Sequence, residues 1–334
     1  MPEISGKFRN KSWYNKKKAA AAARKTPAAA EVFLNFPEGD YIMNPIIRSG
    51  SSAAEIKTAG AELTSLTDGS GTQYLWQGDP AYWASQSPVL FPIVGSIRDG
   101  RATAGNGRPC RMDHHGIARH MEFRAEKSAE NEAVFSIKST PETRKRFPFD
   151  FEFQVQYTLC GKTLTVAFTA VNRDSGPMPY LVGGHPAFNC PLLEGERFED
   201  YVLEFPEKEY AVCPRVLADG LVDVEHRTLI LDNEKIFRLD RTWFSYDCQI
   251  FDQLKSRSVR LYNPATNRGV QVDFKGLDYL VIWTSKNGGN FLAIEPWSGT
   301  PTCTDEDDVL EHKRGVTILK PGESKTHSYS VTML

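Results

Sequence analysis

Three segments of this chain carry residue types able to trade protons. His115 opens His-Gly-Ile-Ala-Arg over 115–119 and follows His114, and His185 sits in Gly183-Gly184-His185-Pro186-Ala187-Phe188-Asn189. Glu295 closes the apolar run Phe291-Leu292-Ala293-Ile294 and is followed by Pro296 and Trp297. Glycines let a backbone approach a ligand closely, and proline fixes the direction of the chain beyond an imidazole. A carboxylate at the end of an apolar strand costs stability unless it is paired or used. Trp297, beyond a proline expected to end the ladder, offers a ring that could cover a ligand. Taken singly, each has a bland reading: a histidine capping a turn, a glutamate in a structural ion pair. A fourth segment, Ser96-Ile97-Arg98-Asp99-Gly100, is a charged turn that either aims the Arg98 guanidinium into the same cleft or is simply solvated.

Other chemistries find less support. His115, His185 and Glu295 could ligate a metal, but no two of them share the short spacing usual in zinc sites, so no metal is expected. A Ser-His-Asp hydrolase would need a nucleophile elbow, and no G-x-S-x-G occurs. Neither G-x-G-x-x-G nor G-x-x-x-x-G-K-[ST] is present, and no cofactor is expected.

The elements that must position these residues read as strands. Phe151, Phe153, Val155, Tyr157 and Leu159 alternate with polar residues; after Gly161-Lys162 the phase changes to Leu164, Val166, Phe168 and Ala170, which predicts a hairpin. Further strands are expected at 62–66, 73–76, 133–138, 259–262, 270–274, 279–284, 291–295, 316–319 and 327–333, the last two flanking Pro321-Gly322. Helical periodicity is nearly absent beyond a short turn at 308–313. Many short strands without alternating helices predict an all-β antiparallel sandwich or barrel, in one large domain over 41–334.

The charge balance separates a head from this body. Residues 1–30 carry eight Lys/Arg against Glu3 alone, net +7, leaving −9 for the remainder. The head, 1–40, with Ala19 to Ala23 in a row and few branched apolar residues, reads as a solvated extension. It is too poor for a secretory h-region and has too few aromatics for nucleic-acid binding. No stretch approaches the ~18 apolar residues of a membrane span. The six cysteines form no C-x-x-C pair, which suggests scattered inert thiols and a cytoplasmic setting.

Gly60-Ala61-Glu62-Leu63, Tyr74-Leu75-Trp76, Pro88-Val89-Leu90-Phe91-Pro92-Ile93-Val94-Gly95, His115-Gly116 with Ala118-Arg119, Phe147-Pro148-Phe149, Gly183 to Asn189, Leu254 to Ser258 and Ile294-Glu295-Pro296-Trp297, in this order, resemble the aldose 1-epimerase (galactose mutarotase) family, in its LacX-like branch. The resemblance spans 42–334. It implies a large antiparallel β-supersandwich with an open sugar cleft, acting on a monosaccharide without cofactor, nucleic acid or membrane, as monomer or homodimer. It also implies Glu295 as general base, His185 as general acid at the ring oxygen and His115 as a second imidazole at the same end of the sugar. Arg98 and Asp247 would contact substrate, and Trp297, Trp283 or Phe188 could stack on it. Ser96 stands where arginine is frequent in the family, and Ile117 where phenylalanine is commoner.

The chemistry suits these residue types in its own right. Opening a cyclic hemiacetal removes the anomeric hydroxyl proton while the ring oxygen gains one, and one carboxylate with one imidazole suffices. Two alternatives remain: a non-catalytic carbohydrate-binding or regulatory protein, and a mutarotase for hexose 6-phosphates. The second needs a cationic cluster, for which Arg98, Arg101 and Arg119 are the candidates.

Overall fold

The computed structural model describes residues 44–334; the expected basic head lies outside the described residues. Among the described residues, nine strands form one antiparallel sheet. Its order is Val222–Arg238, Val202–Val216, Ser258–Asn263, Arg268–Asp273, Ser324–Met333, Thr163–Asn172, Phe151–Cys160, Glu132–Lys138 and Arg124–Ala129. The predicted hairpin is at its centre. Phe151–Cys160 alternates buried and part-buried residues along its length, and Gly161 at φ 57° turns the chain so that Cys160 faces Thr163.

The second sheet carries the site. Gln249–Phe251, Tyr279–Trp283 and Phe291–Trp297 lie side by side, followed by Gly183–Gly184 and Val89–Leu90, with Ala187–Asn189 also paired to Phe291–Trp297. Inward residues of both sheets, among them Phe153 and Phe168 from one and Ile282, Leu292 and Ile294 from the other, share one apolar core. Just beyond the edge strand Val89–Leu90, the Phe91 ring enters this core and stacks on Phe153 at 4.2 Å. The architecture is thus the all-β antiparallel sandwich expected, and no described helix is long and apolar enough to cross a membrane.

Most predicted strands are present within a residue or two, and the turn at 308–313 is the single 3-10 turn Leu310–His312. Three differences are instructive. The expected strand at 73–76 makes only isolated bridges. The Gln73 side chain takes the place of a ladder there: its Oε1 accepts from the Leu66 and Leu75 N–H groups at 2.9 and 3.0 Å. The long hairpin Val202–Val216/Val222–Arg238 gave no alternating signal because four register shifts interrupt its pairing. Finally, Phe291–Trp297 continues through Pro296 where a stop was expected. The Ile294 and Ser298 N–H groups donate to the Pro186 and Val182 carbonyls, and Pro296 falls between them across from Gly184, so the strand runs on past the single ladder bond that proline cannot make.

Candidate active site

Gly183 pairs with Trp297 and Ala187 with Ala293 in one unbroken register, which sets His185 directly across from Glu295. Its backbone N–H donates to the Pro88 carbonyl at 3.0 Å. The two glycines before it are required by contact: a Cβ on Gly183 would sit 2.6 Å from the Trp297 ring, and one on Gly184 2.6 Å from the Tyr329 ring. His115 is fixed from another direction, at φ 67°. Its N–H donates to the Gly95 carbonyl at 2.8 Å, and the Gly95 N–H donates to the His115 Nδ1 at 3.0 Å. A backbone N–H can only donate, so Nδ1 is unprotonated and the proton of the neutral ring sits on Nε2. Burial, then the neighbouring His114, His185 and Arg119, hold His115 well below the usual histidine range. It is therefore a fixed, uncharged hydrogen-bond donor.

His185 Nε2 lies 3.3 Å from Glu295 Oε2, both side chains almost wholly buried. Burial pushes His185 down to about 3. Burial and, next, the charge of Asp247 push Glu295 well above the ordinary carboxyl range, opposed by the Trp297 indole. Both shifts disfavour charge, so burial biases the pair towards neutral imidazole and protonated carboxyl. Asp247 is also raised, by burial, against the pull of Lys286 and of the Trp283 indole.

A cavity of about 270 Å³ opens over this pair. His114, His115, His185, Asp247, Glu295 and Trp297 line it, as do the Trp83 and Trp283 rings. His185 Nδ1, Glu295 Oε2 and Trp297 Nε1 are buried and make no hydrogen bond. Unsatisfied buried polar atoms are costly, and three converging on one cavity mark a place where a polar ligand would complete them. His115, His185 and Glu295 also form a possible metal-donor set, their ligand atoms spread over up to 4.8 Å. Two zinc bonds of ~2.1 Å laid end to end fall short of that spread, so the side chains would have to close up to hold zinc.

Of the residues marked in the sequence, Glu295, His185, His115, Asp247, Trp297 and Trp283 meet at the cavity. Phe188 does not: it is buried in the core and bridged to Leu75. Arg98 is also a correction, since it is absent from the lining. Its Nε pairs with Asp308 at 3.0 Å, and its Nη2 donates to the Cys303 and Glu306 carbonyls at 3.2 and 3.3 Å, so it braces the loop beyond the site. Arg119 faces the cavity instead, with no ion pair or hydrogen bond among the described residues. Trp83 was missed altogether, because a lone aromatic in Asp79-Pro80-Ala81-Tyr82-Trp83 has no periodic or motif context.

The aldose 1-epimerase family model matches residues 46–332. The chain belongs to this family. It is 43% identical to the chromosomal protein LacX of Lactococcus lactis subsp. lactis over 286 residues, 84% of this chain and 96% of that protein. Among solved structures, the galactose mutarotase related enzyme of Lactobacillus acidophilus superposes with a TM-score of 0.82 at 32% identity, covering 87% of this chain and 97% of that one. A galactose mutarotase-like protein from Lactobacillus casei gives 0.81 at 26% identity, covering 87% and 100%. In this epimerase fold the six-stranded sheet presents His185 and Glu295, with Trp297 continuing the glutamate's strand, while His115 comes from the turn before Ala118–His120.

Proposed function

We propose that the cleft interconverts the α and β anomers of a free aldose by opening and reclosing the sugar ring. The observation that carries this reading is the buried Glu295–His185 pair, 3.3 Å apart and lining the cavity. The two protons moved in ring opening belong to oxygens on one carbon, so acid and base must be near neighbours. In the reactive form Glu295 is ionised and His185 protonated. Glu295 takes the proton of the anomeric O1–H, His185 gives its proton to the ring oxygen O5, the C1–O5 bond breaks and C1=O1 forms. The pair is left as carboxylic acid and neutral imidazole, the form favoured in the empty cleft. Rotation about C1–C2 exposes the other face, and closure returns both protons. His115, with its proton held on Nε2, donates to the same end of the sugar, and Asp247 accepts from a hydroxyl.

An uncharged sugar suits the cleft better than a hexose 6-phosphate. Arg98 is neutralised by Asp308, Arg101 is exposed on the strand Arg101–Ala104, and Arg119 alone of the three lines the cavity. Polarimetry or NMR exchange with fresh α-glucose, α-galactose and glucose 6-phosphate tests both points. Acceleration by the wild type that Glu295→Gln abolishes is expected. Equal rates for the two proteins, or saturable sugar binding without exchange, would overturn the catalytic reading.

A further inference from the structure

His185 lacks the support that normally orients a proton-transferring imidazole. Its Nδ1 makes no hydrogen bond, and its Nε2 faces Glu295. Rings surround it instead. Trp83 stacks against its face, with centroids 4.8 Å apart and planes 24° from parallel, while Trp283 and His115 meet it edge-on at 5.8 and 5.3 Å.

Trp83 is itself held on a braced loop rather than by a sheet. Its N–H donates to the Asp79 carbonyl at 2.8 Å, and its own carbonyl accepts from the Trp76 indole at 2.8 Å. Asp79 Oδ1 accepts from the Ala81 N–H at 2.9 Å, and the Asn287 side chain donates to the Ala81 carbonyl. The ring also packs on Phe291 and Trp283. So much fixing of a half-buried side chain that borders the cavity exceeds what covering a core would need.

We infer that Trp83 is the positioning residue of this site: its indole face sets the plane of the His185 imidazole in place of a second hydrogen bond and attracts the positive charge the ring carries during turnover. The inference rests on the proton-transfer role proposed for His185. Stacking alone fixes the plane, and the negative face of the indole then favours imidazolium over imidazole where His114 and Arg119 disfavour it.

The test compares Trp83→Phe, which keeps a face, with Trp83→Leu, which keeps bulk and loses it. For Leu, kcat for anomer exchange should fall about ten-fold, the worth of one desolvated cation–π contact, with KM nearly unchanged and Phe intermediate. A raised KM with kcat intact would make Trp83 a sugar platform, and equal losses in Phe and Leu would make it structural; either overturns the inference. A second readout needs no catalysis. In sugar-free protein labelled at histidine, the His185 ring protons should carry an upfield ring-current shift that Leu abolishes and Phe partly keeps. Lines unchanged in Leu would refute the positioning role. If the wild type catalyses no exchange but the NMR arm succeeds, the functional reading fails while the stacking claim stands.

Discussion

Two buried clusters of ionisable groups, Glu295 with His185 and Glu306 with Lys313, are built on opposite terms. At Lys313 and Glu306 every charge is answered. Lys313 Nζ donates to Thr302 Oγ1 at 3.0 Å and Glu306 Oε2 at 3.1 Å, while Glu306 also accepts from the Cys303 and Arg314 N–H groups at 3.1 Å each. At Glu295, His185 and Trp297 the polar atoms are as deeply buried, yet one on each side chain remains without a hydrogen bond. A satisfied buried network fixes a loop, whereas an unsatisfied one stores a cost that a ligand can remove. Burial of charge does not by itself distinguish structure from function; the state of the hydrogen bonds does.

The sharpest way to break this comparison is to make the same substitution in both clusters. Glu295→Gln should lower anomer exchange by ~10²–10⁴-fold, the worth of one general base. Its melting temperature should stay level or rise, because the amide removes the cost of ionising a buried carboxyl. Glu306→Gln should do the reverse. It leaves Lys313 buried against a neutral partner and should cost about 3–5 kcal/mol, with exchange per folded molecule changed only a few-fold. Denaturant melts and exchange rates on the two variants decide it, and loss of stability in Glu295→Gln would show that Glu295 is a structural charge after all.

Acid should expose the same asymmetry at smaller amplitude. Burial pushes His185 down to about 3 and His327 down to about 4, from an ordinary 6.5. Below pH 6.5 the unfolded chain therefore binds protons that the native protein refuses, and stability falls as pH drops from 6.5 towards 4, by up to ~1.4 kcal/mol per group per pH unit. Glu295 acts in the opposite sense. Its raised pKa means that the native state keeps a proton the unfolded chain releases above 4.5, so its contribution declines as pH rises from there. Melting temperatures across pH 4–8 should drop towards acid in the wild type, and less steeply in His185→Asn. An unchanged slope would mean that His185 is not held neutral by burial.

How much of this was legible in the sequence follows from what each feature depends on. The central hairpin was readable because strict alternation of Phe, Val, Tyr and Leu with polar residues is a local property. The Val202–Val216 hairpin was not, since its bulges shift the alternating phase repeatedly. Glu295, His185 and His115 stood out through glycine and proline neighbours, and those neighbours prove to be the contacts that admit Trp297 and Tyr329 or hold the ring against Gly95. Trp83 and the fate of Arg98 depend on packing between distant segments, which no spacing records. Arg98 lies in a glycine-ended turn of the expected kind, but Asp308, 210 residues further on, claims its guanidinium.

Arg98 therefore offers the finest distinction, because bracing a loop and touching a sugar predict small effects of different kinds. The ion pair with Asp308 is about one-third exposed on both sides and contributes ~0–1 kcal/mol; the carbonyl contacts at Cys303 and Glu306 add a charge-assisted share. Arg98→Ala should lose ~1–2 kcal/mol of stability and raise KM a few-fold through the Pro301 wall of the cavity, with kcat nearly unchanged. Asp308→Asn separates the two roles, asparagine being suited to the φ of 63° at that position. If Arg98 braces the loop, removing its partner loosens the brace and KM again rises slightly. If Arg98 were held in reserve for substrate, the freed guanidinium would lower KM, and the satisfied side of the comparison would have contained a binding residue.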